Sequence, residues 1–81
     1  MRLSPAKEAR TQQLANQVIY DIATSLGFKP KLSITNKLIL IERFELHMGT
    51  AEYTSEAKQL VCRKLIVAFN NFDLGINPHE S

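Results

Sequence analysis

The residues with chemistry to offer are His47, Cys62, a pair of glutamates and a polar stretch near the C-terminus. His47 stands two positions after Glu45, but a general base or a zinc ligand needs converging partners, and none lies at a diagnostic spacing. The other histidine, His79, is close to the end of the chain. Cys62 falls near Ile66 and Phe69 on the flank of an apolar helical pattern, where a thiol packs as a small apolar group. Glu42 and Glu45 are three apart and share a helix face, yet a di-metal centre in a helical bundle adds Glu-x-x-His pairs from further helices. Asn70-Asn71-Phe72-Asp73-Leu74-Gly75 has the composition of a calcium loop, but Phe72 and Leu74 occupy positions that need oxygen ligands. The glycines stand singly, so no loop cradles a phosphate. The expectation is a protein that is not an enzyme and has no metal, no cofactor and no small-molecule substrate.

Nucleic-acid binding has more to support it. Asp21-Ile22-Ala23-Thr24-Ser25-Leu26-Gly27-Phe28 has the form of the first helix and turn of a helix-turn-helix: Ala23 admits a second helix and Gly27 takes the turn. Lys29, Lys31, Ser33, Thr35, Asn36 and Lys37 follow, all able to contact phosphates or base edges. Against this, counting from Gly27 puts Ser33 and Asn36 where the second helix needs apolar residues. An Ala-x-x-x-Gly-apolar string is also how an ordinary helix ends. A small DNA-binding regulator using residues 21–40 is therefore the alternative reading and not the first.

The elements that must position these residues read as helices. Ser4 and Pro5 suit an N-cap and first helical position, and Leu14, Val18, Ile22 and Leu26 recur at steps of four, flanked by Ala15, Ile19 and Ala23. Arg10, Gln13, Gln17, Asp21 and Thr24 fall on the opposite side. Gly27 then invites a Schellman ending, with Phe28 folding back on Ile22 or Ala23. Residues 36–48 fit a second helix, capped by Thr35 or Asn36, with Leu38, Ile41, Phe44 and Met48 on one face and Gly49 to end it. The same stretch alternates well enough for an α-β-β-α alternative, with residues 31–48 as a hairpin. A third helix begins at Thr54 or Ser55. Its stripe is Ala57, Val61, Leu65, Ala68 and Phe72, with Leu60 and Phe69 beside it. Residues from Asn70 onward, and 73–81 above all, read as a flexible tail.

Eighty-one residues make one domain, 1–81, and the expected fold is an all-α, three-helix domain. A chain this short buries only about 60% of the surface its unfolded form exposes, so it needs a staple. One cysteine cannot close an internal disulfide, which suits a reducing compartment such as the cytoplasm. No apolar run reaches the roughly 18 residues of a membrane span, and no helix pairs a lysine-rich face with a bulky apolar one, so no membrane partner is expected. Association is the staple that remains. Leu65-Ile66-Val67-Ala68-Phe69 points apolar side chains almost all round its helix, so Leu60, Val61, Leu65, Ile66, Phe69 and Phe72 should divide between the core and a protein interface. Net charge is +2, but residues 1–40 carry +4 and residues 41–81 carry −2, an asymmetry that can steer association to a polyanion or between copies of the chain. The leading expectation is a small helical regulator or adaptor that docks to itself, as a homo-oligomer, or to another protein.

Overall fold

The computed structural model describes residues 5–48 and 55–78. It contains three helices, α1 (Pro5–Ser25), α2 (Ile34–Met48) and α3 (Ser55–Asp73), and among the described residues there is no strand. The fold is all-α, and the hairpin alternative over residues 31–48 is overturned by α2. Residues rich in Glu, Arg and Leu hold the helix, and Ser33 caps it: its Oγ accepts the Asn36 amide at 3.1 Å, and its carbonyl accepts the Lys37 amide at 3.0 Å. The cap is thus Ser33, two residues ahead of Thr35 and three ahead of Asn36, both of which lie inside the first turn. The caps expected at Ser4 and Thr54, and the stop at Gly49, fall outside the described residues.

Contacts across the bundle give its direction. Gln12 of α1 reaches the Lys64 carbonyl of α3, Asn16 meets Asn71, and Tyr20 meets Phe72, so positions rise together and α1 and α3 run the same way. The start of α2 meets the end of α3 at Asp73, so α2 runs back between them in direction. The order is up, down, up, with α1 packed most extensively on α3. Ala15, Ile19 and Ala23 of α1 are fully buried, and Ala68 of α3 nearly so. Three alanines along this seam let the backbones approach closely, and Val18, Leu32, Leu40, Phe44, Leu65, Phe69 and Phe72 fill the rest of the core. The ring of Tyr20 meets that of Phe72 edge-on, centroids 5.7 Å apart at 68°.

Two of the helices end alike. At α1 the Phe28 amide bonds the Ala23 carbonyl at 2.9 Å and the Gly27 amide bonds Thr24 at 3.1 Å, with Gly27 at φ +78°. At α3 the Ile76 amide bonds Asn71 and the Gly75 amide bonds Phe72, both at 2.9 Å, with Gly75 at φ +75°. Both are Schellman endings, which satisfy carbonyls that a helix end leaves orphaned. The first agrees with the sequence reading. The second corrects it: residues 70–73 are helix, and 74–76 form its cap, because Gly75 supplies the left-handed turn and Ile76 closes it. Residues 79–81 of the expected tail lie outside the described residues.

The buried faces are rotated from those the spacing suggests. On α1 the fully buried line is Ala15-Ile19-Ala23, while Leu14 and Ile22 are half-buried and Leu26 is exposed. On α2 the buried pair is Leu40 and Phe44, with Ile41 half-buried and Leu38 exposed. Leu38 and Leu40 are about 200° apart on a helix of 3.6 residues per turn, so seating one turns the other outward.

Candidate functional site: surfaces at the helix flanks

The residues with chemistry to offer stay apart. His47 is exposed in the last turn of α2, at a shallow depression of about 210 Å³ between α1 and α2, lined also by Leu14, Gln17, Val18, Asp21 and Ile22. Small-molecule sites generally enclose roughly 300–1,000 Å³. Cys62 is exposed on α3. Glu42 and Glu45 are exposed on α2, and no group of three possible metal ligands converges among the described residues. Asn71, Phe72 and Asp73, from the stretch with calcium-loop composition, belong to α3. Asn71 donates to Asn16 Oδ1 at 3.1 Å, and Phe72 is core.

The six α3 residues divide unequally. Leu60, Leu65, Phe69 and Phe72 are buried, and Val61 is half-buried against the same core. Ile66 is exposed, and so is its neighbour Val67. The wide apolar arc of α3 is thus mostly its seat on α1 and α2, with Ile66 left on the surface.

The basic segment is placed as follows. Lys29 and Lys31 are exposed on the connector, Lys31 with a positive φ of 73°. Ser33 is the α2 cap, Thr35 is exposed and Asn36 is half-buried. Lys37 pairs with Asp73 at 3.1 Å, and Asp73 also accepts the Leu32 amide at 2.7 Å. Eight residues separate Ser25 from Ile34, whereas a helix-turn-helix joins its helices by a turn of 3–4 residues. The difference arises because Leu32 turns inward to the core and Asp73 ties down its amide, which holds the connector along the end of the bundle.

A third surface, not expected from the sequence, lies on α2. Ile34, Leu38 and Leu46 are 80%, 61% and 65% exposed on α2. Steps of four and eight spread them over about 120° of the outer side of α2, with Glu42 and Glu45 inside that arc and Ile39 at its edge. The signal was present: like α3, α2 has apolar residues on more than one side, and a helix this small can bury only one of them.

No protein-family model matches the chain, and comparison with curated proteins and with solved structures gives no match.

Proposed function

We propose that this domain is an interaction protein without catalytic chemistry, and that it docks through the outer face of α2. One observation carries the reading. Three large apolar side chains, Ile34, Leu38 and Leu46, are exposed along the outer side of α2 in a domain whose core is already filled by others. A single exposed leucine means little, since much of any protein surface is apolar. Several on one side of a helix are the feature that docking grooves accept, anchored at positions i, i+4 and beyond.

The test is a triple variant, Ile34→Ser, Leu38→Ser and Leu46→Ser, compared with wild type for thermal stability and for cross-linked partners in extracts of the source cells. The expected result is a melting temperature nearly unchanged and a loss of partner bands. Unfolding of the variant, or the same bands from both proteins, overturns the reading.

DNA binding through the connector is the second reading, supported by the exposure of Lys29 and Lys31. It has less behind it, because Lys37 is engaged by Asp73 and Ser33 by its cap. Binding of mixed-sequence duplex that weakens in Lys29→Ala and Lys31→Ala, with a flatter salt dependence, would bring it forward.

A further inference from the structure

We infer that the end of the bundle where α1 and α3 stop is a surface that docks onto a lipid bilayer with anionic headgroups. This surface lies apart from the outer side of α2, and the inference does not rest on the docking reading above. The contact of Tyr20 with Phe72, and the bond from the Leu32 amide to Asp73, bring the ends of α1 and α3 and the connector to one end of the molecule. Three large apolar side chains are exposed there: Leu26 at 45%, Leu74 at 75% and Ile76 at 50%. Lys29 and Lys31 are exposed on the connector at the same end. No single helix pairs bulky apolar side chains with lysines, so spacing along the chain predicts no membrane partner. The fold gathers them from three segments.

Charge and size select the occupant. Positions 22–37 and 70–78 carry Lys29, Lys31 and Lys37 against one carboxylate, Asp73, a net +2. That equals the net charge of the whole chain, so the remaining charges cancel. Asp73 is held by Lys37 and the Leu32 amide, and Asp21 stands five residues before Leu26, about 7 Å back along α1. Two helix C-termini and one N-terminus add about −0.5, which leaves the end positive. Measured on Cα atoms the domain is 37 × 26 × 17 Å, and its long dimension matches the roughly 30 Å of α1, so this end is 26 × 17 Å across. A stable protein interface takes about 800 Å² from each partner, more than so small an end presents. A bilayer surface sets no such threshold, because each inserted apolar side chain and each lysine near the headgroups adds its own share.

Co-sedimentation of the purified full chain with vesicles at low salt tests this, using phosphatidylcholine alone and phosphatidylcholine with about one third phosphatidylglycerol. The expected result is binding to the anionic vesicles, none to phosphatidylcholine alone, and release as salt is raised. Lys29→Glu/Lys31→Glu is expected to bind at least about 25-fold more weakly, from about fivefold per lysine near an anionic surface. Leu74→Ser/Ile76→Ser is expected to bind about tenfold more weakly, with its helical circular dichroism unchanged. Should that double variant lose helix, Leu74→Ser alone, at the most exposed of the three positions, reads the same effect at about threefold. No binding to anionic vesicles overturns the inference, as does equal binding to both vesicle types. Full binding by the serine variants beside a loss in the lysine variant also overturns it, and points to the purely ionic contact that the DNA reading requires.

Discussion

Asp73, the last residue of α3, accepts the backbone amide of Leu32 at 2.7 Å and so fastens the connector before α2 to the end of α3. Its other carboxylate oxygen meets Lys37 at 3.1 Å, in the first turn of α2. One side chain therefore joins two segments forty-one residues apart in sequence, at the side of the bundle where helix packing is thinnest.

Asp73→Ala is expected to lower stability by about 1–3 kcal/mol, because it strands the half-buried Leu32 amide as well as breaking the ion pair. Lys37→Ala removes only the ion pair, which is partly exposed, and should cost no more than about 1 kcal/mol. Urea denaturation of both variants checks the order. Equal losses would mean that the amide bond contributes nothing.

The seam between α1 and α3 carries a small polar cluster. Asn16 Oδ1 accepts from Gln12 Nε2 at 3.0 Å and from Asn71 Nδ2 at 3.1 Å. A double-mutant cycle on Asn16→Ala and Asn71→Ala should give a coupling of roughly 0.5–1.5 kcal/mol. Additive losses would show that the contact is not made in solution.

Backbone conformation gives opposite signs at three positions. Gly27→Ala and Gly75→Ala should each destabilise by about 1–2 kcal/mol, since both glycines have positive φ. A Cβ at either meets no atom within 4 Å, so the cost is conformational and not steric against neighbours. Lys31, at φ 73°, is the reverse case, and Lys31→Gly should gain up to about 1 kcal/mol. Thermal melts of the three variants read these directly.

Leu38 and Leu40 test which side of α2 faces inward. Leu40→Ala opens a cavity at a fully buried site and should cost about 2–5 kcal/mol. Leu38→Ala, at an exposed site, should stay within about 0.5 kcal/mol. The opposite order would rotate α2 and bury the face proposed for docking.

Several features of this domain were legible in its residues. Steps of three and four gave α1 and α3, and Gly27 followed by Phe28 marked the α1 ending, since few residues other than glycine adopt the left-handed turn. The end of α3 held the same signal in Gly75 followed by Ile76. It was masked by the polar run Asn70-Asn71, which reads as loop until Asn71 is seen bonded across to Asn16. The cap of α2 is Ser33 where Thr35 or Asn36 was expected, because local sequence does not rank three good capping residues within four positions.

The candidate sites were less legible. Leu60, Leu65, Phe69 and Phe72 are apolar and well spaced, which suits a core and an interface equally, and only their burial separates the two. Lys37 has the chemistry of a phosphate contact, and only the approach of Asp73 shows where its charge is spent.

By itself the sequence determined that the first and last helices form, where α1 stops, and that the apolar residues exceed what one small core can hold, while residues 31–48 suited a helix or a hairpin until α2 was seen. The tertiary structure alone decided which of them go inside. Periodicity states which residues share a helix face, but the choice of face is made by the partner helix. Close approach along Ala15, Ala23 and Ala68 set α1 against α3, Asp73 fixed the start of α2, and Leu40 and Phe44 were then the side chains of α2 that met the core. Ile34, Leu38 and Leu46 were left outside by that rotation, and so became the surface on which the proposed function rests.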